Sequence, residues 1–235
     1  MLKSATRFLL DLLFPIVCQD CGAEGEYLCL ACQLKITPPI HRCHVCGASS
    51  LLGRVHDGCA TRKTGLFGLM VVAEYKIPVI RALIWQLKYN SVSAISETLA
   101  LLMADFFIKS DLTEYFSGSL VVSVPMRKRR LRMRGFNQAE QIARHLAKKM
   151  SMQYCPGLKK IKNTTRQVDM KREERLENVQ GAFALDNKID AELFAGRKII
   201  LVDDVATTGA TLNECALILQ DLSPAEIWGL VVARN

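Results

Sequence analysis

The sequence predicts an α/β domain built on a parallel sheet, preceded by a small cysteine-rich module. Two observations lead to this prediction. The chain has 235 residues and nine cysteines, and seven of the nine lie between Cys18 and Cys59. Beyond them, short and almost wholly apolar segments alternate with segments of helical periodicity, which is the pattern of strands covered on both faces by helices. We therefore expect a cysteine-rich region at residues 1–63 and the α/β domain at residues 64–235.

The N-terminal segment is predicted to be a short amphipathic helix that packs on the rest of the protein. Its apolar run follows Lys3 and Arg7, as in a secretory signal, but Asp11 interrupts the run and Pro15 ends it. No pair of small residues offers a cleavage site before the first cysteine. No stretch reaches the roughly 18 uncharged apolar residues of a membrane helix. The sequence therefore predicts a cytoplasmic protein without membrane insertion.

The cysteines have the spacing of metal ligands. Three Cys-x2-Cys pairs and one His-x2-Cys pair follow one another along the chain. Four thiolates, or three thiolates and one imidazole, can surround one Zn²⁺ tetrahedrally. The two predicted ligand sets are Cys18, Cys21, Cys29 and Cys32, and Cys43, Cys46, His56 and Cys59. Because both sets are complete, we expect two structural zinc ions and no coordination position for a catalytic water.

The role of the cysteines and the choice of metal ligands have alternatives. A disulfide framework would need an oxidising compartment, which the missing secretory signal argues against. His41 or His44 can replace His56 as the nitrogen ligand, and cysteine pairs from different halves of the module can share one ion. Gly22 and Gly47, which directly follow a cysteine, suit tight turns with a positive φ.

Eight segments after residue 64 have the apolar pattern of strands or helices. The predicted strands are Leu66–Tyr75, Leu120–Val124, Ile199–Val202 and Ile227–Val232. One predicted helix begins at Pro78, and three more cover Ala94–Ile108, Asn137–Met150 and Leu212–Leu222. Strands that are apolar almost throughout indicate a sheet buried on both faces.

The residues after the strand Ile199–Val202 predict a site for a sugar phosphate. Asp203 and Asp204 follow this strand, and ligands of parallel α/β sheets gather at the carboxyl ends of strands. The next loop leads into a helix whose start is predicted by the capping-box pattern Thr211-x2-Glu214, so its backbone N–H groups can bind an anion. The predicted phosphate-binding residues are Ala206, Thr207, Thr208, Gly209, Ala210 and Thr211. The two carboxylates are expected to accept hydrogen bonds from ribose hydroxyls.

These residues carry a family resemblance. The pattern Asp203-Asp204-x3-Thr208-Gly209-x-Thr211 resembles the phosphoribosyl pyrophosphate (PRPP) motif of type I phosphoribosyltransferases, and the whole chain resembles the ComF/GntX family. Further matching segments are Leu87-Lys88-Tyr89, Arg134-Gly135-Phe136-Asn137-Gln138, Gln167, and Asn178-x2-Gly181-Ala182-Phe183. The resemblance implies a type I phosphoribosyltransferase fold with an N-terminal zinc-ribbon module. It also implies PRPP or a ribose 5-phosphate compound as ligand, Mg²⁺ bound with PRPP, phosphoribosyl transfer, and a role in DNA uptake or utilisation during competence.

A strongly basic segment follows the second predicted strand. Six of the eight residues from Arg127 to Arg134 are lysine or arginine. The resemblance implies that this segment is a loop that binds pyrophosphate through Arg127, Arg130 and Arg134. The same charge attracts a nucleic-acid backbone. The alternative prediction is therefore a non-catalytic protein that binds single-stranded DNA and uses the PRPP fold for ligand sensing.

The resemblance also implies a flexible loop within residues 159–177, with Arg166 and Gln167 closing over PRPP to exclude water. In hypoxanthine-guanine phosphoribosyltransferases an acid precedes the Thr-Gly of the motif and acts as base, but here that residue is Thr207. The sequence therefore assigns neither a general base nor an acceptor, and it does not give the oligomeric state. Aromatic residues are few and scattered, so no base-stacking platform is expected.

Overall fold

The computed structural model describes residues 15–89, 93–162 and 179–235. Its centre is a five-stranded sheet in which every strand pair is parallel. Its strands are β1 Gly68–Glu74, β2 Leu120–Ser123, β3 Gln153–Tyr154, β6 Lys198–Ala206 and β7 Glu226–Arg234. They lie in the order β1-β7-β6-β2-β3. Two further strands, β4 Leu158–Lys160 and β5 Phe183–Leu185, form a separate antiparallel pair.

Helices cover both faces of the sheet. They are α1 Leu30–Gln33, α2 Pro78–Tyr89, α3 Ile95–Lys109, α4 Lys128–Arg134, α5 Gln138–Lys149 and α6 Ala210–Leu219. Short 3-10 turns occur at Leu51–Gly53, Asp57–Cys59, Ala191–Leu193 and Gln220–Leu222. The buried faces of α2, α3 and α5 pack on one side of the sheet, whereas α6 packs on the other with β4 and β5. This arrangement confirms the predicted parallel α/β fold class.

The strands are buried along nearly their whole length. All four residues of β2 are buried, as are the seven central residues of β7. Such strands need apolar side chains on both faces, which explains why their sequences lack the polar alternation of a half-exposed sheet. The predicted positions of the four long helices and the four apolar strands are correct to within a few residues.

The basic segment after β2 is a helix, whereas the sequence predicted a loop. Helix α4 ends at Gly135, which has a φ of +80° and donates its N–H to the carbonyl of Leu131. Arginine, lysine, leucine and methionine have good helix propensity, and a glycine with positive φ commonly ends a helix. The prediction was wrong because this short helix buries no residue and therefore has no apolar stripe.

The cysteine-rich module and the sheet share one core. Leu28 and Ile36 are buried in the same apolar cluster as Met70 of β1. The connecting residues are held by Asn213 of α6, whose Oδ1 accepts the N–H of Gly65 at 2.8 Å and whose Nδ2 donates to the carbonyl of residue 63 at 2.8 Å. The chain is thus fastened on both sides of residue 64, and the division into two domains at that point stays a prediction. The N-terminal helix was predicted within the segment Phe8–Val17, ended by Pro15, so it falls on residues 1–14, which lie outside the described residues.

Within the described ranges, no helix combines the length and the apolar composition that crossing a bilayer requires.

Candidate functional site

The acidic pair lies near the carboxyl end of β6, which continues through both residues to Ala206. Asp204 is only 8% exposed, and its Oδ2 lies 2.8 Å from Nζ of Lys88 at the end of α2. Asp203 is half-buried, and its Oδ1 accepts the N–H of Asp204 at 2.8 Å. A buried carboxylate needs a partner of opposite charge, and Lys88 supplies it. The prediction from sequence did not assign Lys88 to the site.

Asp203 and Lys88 both have shifted pKa values. Burial, together with the neighbouring charge of Asp204, raises the pKa of Asp203 to about 8, while Lys88 acts in the opposite direction. Burial acts to lower the pKa of Lys88, but Asp204 and Asp203 outweigh it and raise that pKa. Asp203 therefore has a raised pKa beside the salt bridge between Asp204 and Lys88. A cation or several hydroxyl donors would favour the ionised form of Asp203.

The loop between β6 and α6 forms a small cavity. All residues from Ala206 to Thr211 line it, together with Asp203. Helix α6 begins at Ala210 behind Gly209, and Arg234 of β7 fixes the loop by donating from Nε to the carbonyl of Thr207 at 3.1 Å. Backbone N–H groups at a helix N-terminus attract an anion. The structure thus brings together the carboxylates and the predicted phosphate loop.

The predicted capping box is wrong. The residue that caps α6 is Gly209, with a φ of +82°, and Oγ1 of Thr208 accepts the N–H of Ala210 at 3.3 Å. Glu214 instead accepts the N–H of Gly181 at 2.6 Å. The side chain that the local pattern assigned to the helix start therefore holds a segment that is distant in sequence.

Gly209 also lies against the cysteine-rich module. A Cβ at this position would lie 3.2 Å from Cδ2 of Leu69 and 3.7 Å from Cβ of His44. The positive φ and the tight surroundings both favour glycine at the apex of the loop. The phosphate loop is therefore supported from behind by the segment between Cys43 and Cys46.

Basic residues approach the same end of the sheet. Arg127 precedes α4 and is half-buried, whereas Arg130 is exposed. Lys160 of β4 is half-buried as well; burial lowers its pKa, the nearby Arg130 and Arg127 act in the same direction, and Asp203 acts against them. Lys160 thus interacts electrostatically with both the basic segment and Asp203. The sequence contained no signal for it, because its three-residue strand was too short to predict.

Arg134 has a more specific environment. Its Nη1 donates to Oε1 of Gln138 at 3.2 Å, and its Cζ lies 5.4 Å from the ring centroid of Tyr89. The neighbouring Asn137 is buried and donates to the carbonyl of Val124 at 3.0 Å, which joins the start of α5 to the end of β2. Arg166 and Gln167, predicted for the flexible loop, lie outside the described residues.

The predicted metal ligands form two groups. Within each group the four ligand atoms lie within 4.8 Å of one another, and Sγ of Cys21 is 3.6 Å from Sγ of Cys29. Zn–S bonds of about 2.3 Å in a tetrahedron place sulfurs roughly 3.8 Å apart, so the groups have the size of metal sites. All nine cysteines are free thiols, contrary to a disulfide framework. The two groups pair the residues as the sequence predicted.

The two groups begin with the same turn. In each, the first cysteine donates its N–H to the carbonyl five residues on, and the glycine four residues on donates back to that cysteine, all at 2.8–2.9 Å. Gly22 and Gly47 have φ values of +76° and +79°. Burial acts to raise the pKa of Cys18, but backbone N–H groups of this turn and of Cys29 bring it down to about 6. The turn therefore favours a thiolate, the form that binds metal.

The histidines have separate positions. Nδ1 of His56 lies 3.4 Å from Sγ of Cys46, while Nε2 faces the carbonyl of Ser49 at 3.2 Å. This second contact orients the ring with Nδ1 toward the group, as is common for metal-bound imidazoles. Nε2 of His41 accepts the N–H of Val71 at 3.1 Å, and His44 packs on Gly209. Neither belongs to a ligand group, whereas His56 lies in the group with Cys43, Cys46 and Cys59.

Comparison with known proteins agrees with this geometry. Residues 132–235 match the phosphoribosyl transferase domain family. The parallel sheet and the acidic pair with its phosphate loop thus belong to a domain of the phosphoribosyltransferase type.

Full-length relatives specify the family. The chain is 30% identical to competence protein F of Haemophilus influenzae over 210 residues, which are 88% of this chain and 90% of that protein. It is 28% identical to the DNA utilization protein YhgH of Escherichia coli K12, covering 93% and 98% of the two chains. It is 26% identical to competence protein ComFC of Bacillus subtilis, covering 85% and 80%. The chain belongs to the ComF family, as the sequence predicted.

Proposed function

We propose that this chain is a PRPP-binding, phosphoribosyltransferase-like protein that acts in DNA uptake or utilisation. The names of its relatives, competence protein and DNA utilization protein, support the cellular role. The ligand assignment depends on one observation, the adjacency of Asp203 and Asp204 to the loop of residues 206–211 at the carboxyl end of β6.

PRPP has two anionic ends and a ribose between them. In the proposed complex the ribose hydroxyls donate to Asp203 and Asp204, and the 5′-phosphate accepts N–H groups of residues 207–211. Mg²⁺ binds together with the pyrophosphate group. The pyrophosphate is stabilised by the arginines of the basic segment, Arg127, Arg130 and Arg134, and by Lys160. Arg166 and Gln167 stay predictions for the loop that excludes water.

Calorimetry with Mg²⁺ and PRPP tests this site. We expect binding by the wild type and none by the double variant Asp203→Asn/Asp204→Asn. Asp221→Asn is the matched control, because that carboxylate is exposed and lies in the 3-10 turn after the far end of α6. Unchanged binding in the double variant would overturn the site assignment.

Phosphoribosyl transfer is the activity that such a site supports. A screen of nucleobases for PRPP-dependent release of pyrophosphate would identify the acceptor. The acid that acts as base in the hypoxanthine-guanine enzymes is replaced by Thr207, so the acceptor need not be a 6-oxopurine. Release with another nucleobase and not with hypoxanthine or guanine would agree with this replacement.

We also propose that the two cysteine-rich groups hold structural zinc. The complete ligand sets and the lowered pKa of Cys18 support this assignment. Metal analysis of the purified protein should find about two zinc ions per chain. A value near one would retire the site of Cys43, Cys46, His56 and Cys59.

A second candidate function is single-stranded DNA binding with PRPP as a sensed ligand only. It is favoured by α4, on which Arg129, Arg130 and Arg132 are exposed. Affinity for single-stranded DNA should then fall steeply with salt, and the slope should flatten when these three residues become alanine. PRPP binding without pyrophosphate release in the nucleobase screen, together with this salt dependence, would favour the second candidate.

A further inference from the structure

Helix α2 presents two aromatic side chains to solvent. Trp85 and Tyr89 are one helical turn apart, 52% and 62% exposed, with ring centroids 5.6 Å apart. The other tryptophan of the chain, Trp228, is only 3% exposed. The opposite side of α2 is anchored in the core by Leu83 and Leu87, so the exposed rings project from a fixed helix. Two adjacent exposed rings on a rigid element indicate a contact surface.

Positive charge adjoins these rings. The guanidinium of Arg134 lies 5.4 Å from the ring centroid of Tyr89 and is held by Gln138 in the first turn of α5. Beyond Gly135, a groove of about 450 Å³ runs along α5, and Arg144, His145 and Lys148 line it. The one carboxylate in its lining, Glu140, pairs with Arg144 at 2.9 Å. The surface therefore combines stacking rings at one end with cationic groups along the rest.

We propose that this surface binds single-stranded DNA, with bases stacked on Trp85 and Tyr89 and the phosphate backbone following Arg134 into the groove along α5. Exposed bases offer ring faces to aromatic side chains, whereas bases in a duplex are already stacked on each other. The cationic side chains that line the groove can pair with phosphates of the backbone. The choice of DNA over RNA rests on the proposed role in DNA utilisation. The stacking surface itself rests on the geometry of α2, α4 and α5.

This proposal differs from an expectation drawn from the sequence. The low aromatic content of 7% predicted no base-stacking platform. Composition counts residues over the whole chain, but a platform needs only two rings that meet at the surface. The spacing of four residues between Trp85 and Tyr89 on an amphipathic helix was the signal that could have revealed it.

The platform and the PRPP site are neighbours but separable. Tyr89 follows Lys88, whose Nζ contacts Asp204. The aromatic rings point outward, whereas the lysine points toward the buried carboxylate. Arg134 belongs to both proposed sites, so the two bindings are distinguished with variants of Trp85 and Tyr89, which leave Arg134 in place.

The test uses tryptophan fluorescence of the full-length, zinc-containing protein. Because Trp228 is buried, added oligo(dT) should quench the emission of Trp85. The double variant Trp85→Ala/Tyr89→Ala should bind oligo(dT) at least about fivefold more weakly, the effect of losing one stacked base. Affinities of variants are measured by anisotropy of a labelled oligonucleotide. Ile108→Ala on α3, a residue 61% exposed, is the matched control and should bind like the wild type.

A conservative variant separates stacking from folding. Trp85→Phe/Tyr89→Phe keeps two rings and should keep most of the affinity. A salt titration of Arg144→Ala/Lys148→Ala should show a smaller slope than that of the wild type, because fewer phosphates are neutralised. Lys76→Ala, at an exposed position after β1, should leave the slope unchanged.

Three results would overturn the proposal. They are the absence of oligo(dT) binding by the wild type at low salt, equal affinity of the wild type and Trp85→Ala/Tyr89→Ala, and tighter binding of oligo(U) than of oligo(dT), which would make RNA the partner. PRPP calorimetry on the same preparation distinguishes failure of the platform from failure of the PRPP site. If PRPP binds but the affinity for oligo(dT) does not depend on Trp85 and Tyr89, only the platform is refuted. If that affinity depends on the two rings but PRPP does not bind, only the PRPP site is refuted.

Discussion

At the scale of residues, the acidic pair at the end of β6 depends on a lysine from another element. Lys88 and Asp204 have side chains that are 23% and 11% exposed, so their charges interact with little screening by water. Removal of one partner leaves the other buried and unpaired, which costs more than the pair itself contributes.

Replacing Lys88 by methionine therefore tests the pair. Lys88→Met should lower the free energy of unfolding by about 3 kcal/mol, because Asp204 then loses its partner. Urea denaturation measures this change. Adding Asp204→Asn to Lys88→Met should restore part of the loss, since no buried charge is left unpaired. If the effects of the two substitutions simply add, the two side chains do not interact in solution.

The raised pKa of Asp203 predicts a pH dependence of stability. Its pKa is about 8 in the folded protein, above the ordinary value of 3.8. The folded state therefore binds an extra proton between these values. The stabilisation from this proton is complete below about pH 4 and is lost as the pH rises through about 8. Asp203→Asn removes this contribution.

The measurement is the difference in unfolding free energy between the wild type and Asp203→Asn, followed across this pH range. The wild type should lose stability relative to the variant as the pH rises. A constant difference would show that the pKa of Asp203 is the same in the folded and unfolded states. Taking the difference cancels the titration of the cysteines and histidines, which both proteins share.

At the scale of elements, the sequence predicted the helices and strands whose apolar residues form a regular pattern. Helix α2 was predictable because Ile80, Leu83, Ile84 and Leu87 fall on one face. Helix α4 was not, because it buries no side chain. The two- and three-residue strands β3, β4 and β5 are too short for any pattern.

The residues of the candidate site also differ in how far the sequence predicts them. Asp203, Asp204 and the phosphate loop are contiguous in sequence and were predicted together. Lys88 and Lys160 reach the site through tertiary packing from α2 and β4, and Glu214 binds Gly181 instead of capping its own helix. Contacts between distant segments decide these roles, and a single sequence does not reveal them.

The phosphate loop offers a test of packing between elements. Gly209→Ala should be strained by its φ of +82° and by the contact with Leu69. Gly118→Ala is a matched control, because Gly118 has a φ of +71° but nothing within 4 Å of a Cβ. We expect both variants to lose on the order of 1 kcal/mol of stability from backbone strain.

Only Gly209→Ala should also weaken PRPP binding, because the added methyl group displaces the loop from Leu69 and His44. Calorimetry with Mg²⁺ and PRPP measures this effect. Equal PRPP affinities in the two variants would mean that the position of the loop apex does not matter to the ligand.

At the scale of the whole molecule, the cysteine-rich module covers an edge of the sheet. Strand β1 is the outermost strand on its side, and an edge strand has backbone groups without a partner strand. His41 accepts the N–H of Val71 on this edge, and Arg54 forms an isolated bridge with Gly68. The module also contributes Leu28 and Ile36 to the main core. It is therefore part of the structural support of β1.

The excess of basic residues is concentrated in one segment of the chain. The chain has a formal net charge of +8, and six of its lysines and arginines fall between Arg127 and Arg134. These residues adjoin both the proposed pyrophosphate site and the groove along α5. Under the two proposals, this basic surface serves two anionic ligands, PRPP and DNA.

Because the cysteine-rich module supports β1, removal of zinc should affect the sheet as well as the module. Zinc sites of this kind contribute on the order of 10 kcal/mol to the folding of small modules. After chelation we expect a lower Tm and faster hydrogen exchange at the amide of Val71, because His41 precedes the second ligand group and loses its position with it. Cys46→Ser should reproduce this effect on Val71, whereas Cys21→Ser, in the first group, should leave that amide protected. Retention of both the Tm and the protection of Val71 after complete chelation would show that β1 does not depend on the module, and PRPP binding would then be independent of zinc as well.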